Sequence, residues 1–134
     1  MIRAFVSGLF ILAMTPSVAF AAPDYRCIIK EVATANPSSS DTFTFNIGRE
    51  FTVERRSGVI AGAVRNRFFT DPVVVDPGSA KNAYKVVSTL RLGEGEGVGS
   101  IATLLTVNEY EETPEKAFLF ADGDVAYFGS CVHF

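Results

Sequence analysis

The sequence is poor in the side chains that most often carry out chemistry in proteins. Its 134 residues contain one histidine, His133, and two cysteines, Cys27 and Cys131. A single histidine excludes the multi-histidine zinc sites of many hydrolases, and the two distant cysteines lack the C-x-x-C spacing of redox and zinc sites. No G-x-S-x-G segment is present to hold a nucleophilic serine. We therefore predict a protein without catalytic residues, cofactor or bound metal.

The chain also lacks an excess of positive charge. Twelve Lys and Arg stand against fifteen Asp and Glu, which gives a formal net charge of −3 at pH 7. Because binding to a nucleic-acid backbone usually requires a clustered basic excess, we expect no nucleic-acid partner. Two close pairs of arginines are interpreted first as solvated strand edges and, alternatively, as a binding surface for an anionic ligand: Arg55, Arg56, Arg65 and Arg67.

Long apolar runs are missing except at the start of the chain. Arg3 precedes an apolar core at 4–14, and the segment Ala19-Phe20-Ala21 has a small residue at its first and third positions. This is the pattern of a signal peptide, and we predict cleavage after Ala21. The apolar core is too short to span a bilayer, so we expect no retained anchor. The protein is predicted to be exported, either to a periplasm or out of the cell.

Removal of residues 1–21 leaves about 113 residues, which suffice for one domain at 22–134 with a moderate core. Cys27 and Cys131 lie at opposite ends of this domain. Because an exported chain folds under oxidising conditions, we predict a structural disulfide between them. A disulfide requires Cα atoms less than about 7 Å apart, so it also predicts that the first and last strands are neighbours.

The domain shows the two-residue alternation of β-strands, and no long stretch follows the helical period. We predict an all-β fold, a small antiparallel meander barrel of about eight strands closed by the N-to-C-terminal disulfide, with a β-sandwich as the alternative. The segment at 68–75, which is interrupted by proline, is predicted as an edge strand or covering loop. The other strands are predicted at 25–32, 42–47, 51–54, 59–64, 82–92, 101–110, 118–121 and 125–131.

Two glycine-containing segments predict turns. Asp122-Gly123, between two apolar runs, favours a type I′ hairpin turn. The segment 93–100 is rich in glycine but contains two glutamates and no lysine. It therefore differs from phosphate-binding loops and is predicted to be a turn or mobile loop.

The ends of the domain resemble a known family. Tyr25-Arg26-Cys27 directly after a signal peptide, with a second cysteine near the C-terminus, is similar to the periplasmic inhibitors of C-type lysozyme. In that family a Ser-Gly pair is followed two or three residues later by a Tyr of the inhibitory loop. Here Ser57-Gly58 is followed by Val59-Ile60-Ala61. The resemblance implies a small barrel and an inhibitor-like binding function, and no inhibitory residue is transferred.

The terminal Phe134 is similar to the last residue of outer-membrane barrels. Strands of such barrels need about nine to eleven residues, whereas the alternating segment at 42–47 is shorter. We therefore expect no stable insertion into a membrane.

Three functional hypotheses follow, in order of preference. The first is an exported, non-catalytic binding module that engages a protein or a cell-envelope component. The second is a carrier of a small hydrophobic ligand with an aromatic-lined cavity, because the domain is rich in Phe and Tyr. The third is a small hydrolase that uses His133 or carboxylates from Glu109, Glu111 and Glu112.

Overall fold

The structure is a computed structural model that describes residues 22–66, 71–89 and 101–134. The predicted signal peptide at 1–21, the candidate residue Arg67 and the glycine-rich segment 93–100 lie outside these residues. Within the described ranges, no helix is both long enough and apolar enough to cross a membrane.

Eight antiparallel strands in the described part of the chain form a single sheet, which confirms the all-β prediction. Their order across the sheet is β3-β2-β1-β8-β7-β6-β5-β4. In the described residues, consecutive strands are therefore neighbours except for β3 and β4, which form the two edges. The strands are β1 (Tyr25–Thr34), β2 (Glu50–Val53), β3 (Ile60–Gly62), β4 (Val73–Pro77), β5 (Tyr84–Thr89), β6 (Ala102–Val107), β7 (Lys116–Asp122) and β8 (Val125–His133).

The pairing of β1 with β8 joins the two ends of the chain in the middle of the sheet. Cys27 lies directly opposite Cys131 in this antiparallel ladder, and the two are linked by a disulfide. Both cysteines are buried. The predicted disulfide and the predicted contact between first and last strands are therefore confirmed.

The sheet curls into a half-barrel whose concave side holds the core. Alternate residues of each strand point inward, as the two-residue period predicts. At the centre, Phe51 meets Phe118 edge to face with 5.1 Å between ring centroids, and Phe120 stacks on Tyr127 at 6.1 Å. These aromatic rings fill the concave side with the aliphatic residues Ile29, Val53, Ile60, Val86, Leu105 and Val107.

Hydrogen bonds of Asn66 and Ser88 connect the segment after β3 with β5 across the opening of the half-barrel. Buried Asn66 accepts a hydrogen bond from the Ile60 backbone N–H at 2.9 Å and donates to the Gly58 carbonyl at 2.8 Å. The backbone carbonyl of Asn66 accepts a hydrogen bond from the Ser88 hydroxyl on β5 at 2.7 Å. Gly58 has a positive φ of 78°, and a Cβ at this position would lie only 2.7 Å from Val86. The turn at 54–59 thus packs on β5 and covers the core between the edges.

The segment at 42–47 is helical, so the prediction of a strand there is wrong. It contains the short helix α1 (Ser40–Phe43) and a 3-10 turn at Thr44–Asn46. Phe43 packs against the core, whereas Phe45 and Ile47 are 61% and 47% exposed. Both sides of β1, the strand that precedes this segment, are already paired with β2 and β8, so the segment cannot form a hairpin with β1.

The hairpin between β7 and β8 is confirmed, but its predicted type I′ turn is wrong. Asp122 pairs with Val125, so the two central residues are Gly123 and Asp124. Gly123 has a φ of +60°, and no non-glycine residue in the described ranges has a positive φ. A type I′ turn needs positive φ at both central positions, whereas glycine at the first one alone fits type II′.

Gly129 allows β8 to lie close to the backbone of β1. A Cβ on Gly129 would overlap the backbone oxygen of Ile28 and lie 2.8 Å from a ring carbon of Phe118. The β1–β8 register also shifts beside this position, between Ile29 and Glu31. We predict that Gly129→Ala lowers the free energy of unfolding by about 3 kcal/mol, because a backbone must move.

Urea unfolding of the Gly129→Ala variant measures this effect. Ser130→Ala, on the outward face of the same strand, is the matched control and is expected to change the free energy by less than about 0.5 kcal/mol. Equal stabilities of the two variants would contradict the close approach.

Candidate ligand-binding site

A polar and aromatic cluster lies at the end of the half-barrel where β1 begins and β8 ends. Its centre is Glu109, which follows β6. The Tyr25 hydroxyl donates to Oε2 of Glu109 at 2.5 Å, and Nε2 of His133 lies 3.0 Å from the same oxygen. Tyr25 and His133 are opposite each other in the β1–β8 ladder. The pairing that contains the disulfide therefore places both groups on one carboxylate.

Arg55, on the turn between β2 and β3, is held from several sides. Its guanidinium lies 5.1 Å from the ring centroid of Tyr25 and 5.9 Å from that of Tyr84. It donates to the Pro77 carbonyl at 3.0 and 3.3 Å and lies 3.7 Å from Oε1 of Glu109. The Arg55 carbonyl accepts from the Tyr84 hydroxyl at 2.9 Å. Because this guanidinium is fixed before any ligand arrives, binding to it costs little conformational entropy.

The cluster also shifts the pKa values of its members. Burial raises the pKa of Glu109, but the hydrogen bonds from Tyr25 and His133 and the charge of Arg55 outweigh it, so the pKa lies below its ordinary value. Burial and the hydrogen bond to Glu109 raise the pKa of Tyr25 far above its usual range. Burial also raises the pKa of Tyr84, to about 12, against the opposing charge of Arg55. At neutral pH the tyrosines are neutral donors and Glu109 is a carboxylate.

A cleft of about 390 Å³ opens beside this cluster. Small-molecule sites typically occupy about 300–1,000 Å³, so the cleft has room for a small ligand or for one end of a larger one. Its walls are apolar except for two adjacent arginines, and the lining residues are Ala22, Arg55, Arg56, Val74 and Pro77.

The two arginines of the cleft differ in their surroundings. The side chain of Arg55 is 10% exposed, and its charge is balanced by Glu109. Arg56 is exposed, and it has no ion pair or hydrogen bond within the part of the chain that the structure describes. Arg56 therefore places a positive charge without a hydrogen-bond or ion-pair partner, among the described residues, at the cleft.

The structure separates the arginines of the predicted binding surface. Arg55 and Arg56 lie together on one turn and line the cleft. Arg65 is exposed after β3 and is not a lining residue, and Arg67 falls outside the described ranges. Among the described residues, only the pair Arg55 and Arg56 thus lines the cleft. That Arg65 and Arg67 belong to the same binding surface stays a prediction.

No local pattern in the sequence marks this cluster as a site. Tyr25 and Glu109 are 84 positions apart, so only the register of the sheet brings them together. His133, which enters the sequence analysis only as a candidate of the hydrolase hypothesis, has a side chain that is 38% exposed and contacts Glu109. The available signal was an inward-facing tyrosine at the first position of two strands, Tyr25 on β1 and Tyr84 on β5.

The chemistry of this arrangement suits binding of an anion. It combines a fixed guanidinium, a second exposed guanidinium and an apolar wall formed by Val74 and Pro77. Every buried side-chain nitrogen and oxygen in the described residues already has a hydrogen-bond partner. The same residues contain no group of three or more His, Cys, Asp or Glu placed to hold a metal ion.

Comparison with known proteins identifies no relative. No protein-family model matches the chain, and neither a curated protein nor a solved structure matches it. The similarity of the chain ends to the lysozyme inhibitors is therefore not accompanied by a family match. Any functional proposal rests on the cleft and the cluster themselves.

Glu109 gives this end of the half-barrel a pH-dependent stability. Its pKa is lower in the folded protein than the ordinary value of 4.5. Its contribution is thus fully present above that value and is lost as the pH falls through the folded pKa. We predict that Glu109→Gln lowers the free energy of unfolding by about 2 kcal/mol near neutral pH. The difference from wild type should shrink toward about pH 3.

Urea unfolding of the wild-type and Glu109→Gln proteins at both pH values tests this prediction. Glu112→Gln, at an exposed position outside the cluster, serves as the control and should match wild type throughout. A Glu109→Gln difference that does not change with pH would show that the carboxylate charge is not the stabilising group.

Proposed function

We propose that this protein is an exported, non-catalytic binding module that holds an anionic component of the cell envelope in the cleft beside Arg55 and Arg56. The carrying observation is the combination of apolar walls with two adjacent arginines, one of them fixed by its neighbours. The ligand expected from this chemistry has one anionic group, a carboxylate or a phosphate, attached to an apolar body.

Charge and burial act on different parts of such a ligand. The anionic group meets the exposed guanidinium of Arg56 at the edge of the cleft, where partial exclusion of water strengthens the attraction. The apolar body covers Val74 and Pro77, and each Å² of apolar surface removed from water contributes roughly 25 cal/mol. The site therefore favours a molecule that carries both features over one that carries either alone.

Two observations support export. The pattern of residues 1–21 is that of a signal peptide. The disulfide between Cys27 and Cys131 is the kind of bond that forms and persists in oxidising compartments.

The position of the cleft favours a surface site over an interior cavity. The aromatic rings that a carrier would use as cavity walls pack against one another, as Phe51 does with Phe118 and Phe120 does with Tyr127. The cleft lies outside this core, at the turn that follows β2.

Glu109 is one of the carboxylates that the hydrolase hypothesis would use. It already contacts Tyr25 and His133 at hydrogen-bond distance and forms an ion pair with Arg55.

Isothermal titration calorimetry with octanoate, octyl phosphate and octanol tests the proposal. The sample is disulfide-bonded protein recovered after export, and its intact mass should show the loss of residues 1–21. We expect at least one of the two anions to bind and octanol to bind at least about tenfold more weakly, because it lacks the charge that Arg56 recognises. The comparison of octanoate with octyl phosphate separates a carboxylate ligand from a phosphate ligand.

Arg56→Gln should weaken binding of the preferred anion by about tenfold, whereas Arg65→Gln, away from the cleft, should bind as wild type does. Equal affinities for octanol and both anions, or equal losses in the two variants, would contradict the cleft as the binding site. Retention of residues 1–21 in the recovered protein would contradict only the predicted cleavage after Ala21.

A further inference from the structure

The first residue of the processed domain lies at the cleft. Ala22 is one of the five residues that line it. Cleavage after Ala21, which the signal-peptide pattern predicts, leaves the backbone nitrogen of Ala22 as a free α-amino group. Near neutral pH an α-amino group is mostly protonated, whereas the same nitrogen in an uncleaved chain is an uncharged amide. Processing therefore adds a positive charge at a residue that lines the cleft.

Short-range contacts fix the segment that carries this amino group. Oδ1 of Asp24 accepts a hydrogen bond from the Arg55 backbone N–H at 2.8 Å, and the Asp24 carbonyl accepts one from the Phe134 N–H at 3.1 Å. Pro23 has a fixed φ, and a residue that precedes proline favours an extended conformation. Two extended residues span roughly 7 Å. The amino group of Ala22 is therefore tethered closely to the turn that contains both arginines.

The charges around the cleft show what this amino group contributes. Glu109 lies 3.7 Å from the guanidinium of Arg55, and the carboxylate of Asp24 binds the backbone of the same residue. Glu54 directly precedes Arg55 in the chain. With His133 neutral, three carboxylates thus lie beside two arginines, which weakens the attraction of the cleft for an anion. A third cation offsets the third carboxylate.

We infer that the α-ammonium group of Ala22 is a third cationic group of the anion site, and that the cleft gains its full affinity only after residues 1–21 are removed. This inference rests on the proposed function, because it concerns the same cleft, and on the predicted cleavage. An ammonium donates charge-assisted hydrogen bonds to a carboxylate or a phosphate, and these are stronger than the hydrogen bond of a neutral amide. The processed protein therefore binds the anion more tightly than the uncleaved chain does.

The position of Cys27 permits a test that changes only this nitrogen. A synthetic peptide of residues 22–26, activated as a thioester, is ligated to a recombinant chain of residues 27–134, and the product is oxidised to the disulfide. Three forms are compared by calorimetry with octanoate and octyl phosphate: a free amine, an N-acetyl group and an N-methyl group. Acetylation removes the charge, whereas methylation adds bulk but keeps the charge. We expect the acetylated form to bind the preferred anion at least about fivefold more weakly, and the methylated form to bind as the free amine does.

Circular dichroism of each form establishes that the fold is retained. Conversion of the N-terminal amine of the exported protein to a ketone with pyridoxal phosphate removes the same charge without refolding and should cause the same loss.

An acetylated or ketone form that binds as tightly as the free amine would overturn the inference. So would equal losses in the acetylated and methylated forms, since bulk then explains them, or retention of residues 1–21 in the exported protein. If Arg56→Gln still weakens binding by about tenfold in any of these cases, the proposed function stands without the inference. Absence of anion binding to the free amine would overturn both.

Discussion

The contact between β1 and β8, fixed by the disulfide of Cys27 with Cys131, is the constraint on which the rest of the structure depends. Without this pairing the sheet would fall into a three-stranded piece, β3-β2-β1, and a five-stranded piece, β8 to β4. Neither piece alone surrounds the rings that form the core. Because the cysteines are 104 positions apart, the bond also removes much of the freedom of the unfolded chain.

The candidate site is a consequence of the same pairing. Tyr25 on β1 and His133 on β8 lie opposite each other in the ladder. Both contact Glu109, which follows β6. Arg55 then connects the turn after β2 with Pro77 at the end of β4. The cluster thus joins the three-stranded and the five-stranded piece at one end of the half-barrel. The hydrogen bond from the Ser88 hydroxyl to the backbone carbonyl of Asn66 joins the same two pieces elsewhere along the opening. The cleft and its arginines depend on this closure.

Two features of the fold could be predicted from the sequence: the inward-facing residues of the strands, from local alternation, and the disulfide, from the positions of the cysteines. Phe51, Val53, Tyr84 and Val86 are buried as their alternation predicts, and the observed disulfide was predicted from the signal-peptide pattern and the positions of the two cysteines. Alternation alone failed at 42–47, because it does not reveal that both sides of β1 are already paired. The Glu109 cluster was not predictable for a related reason. Its members meet only through the register of distant strands, which no local pattern specifies.

Comparison of the free energy of unfolding of wild type with that of Cys27→Ala/Cys131→Ala, by urea titration, tests most directly whether the β1–β8 link governs stability. We predict that the double variant loses about 4–5 kcal/mol, the value expected for opening a loop of this length. A double variant within about 1 kcal/mol of wild type would contradict it, because a loss that small is typical of an ordinary point mutation.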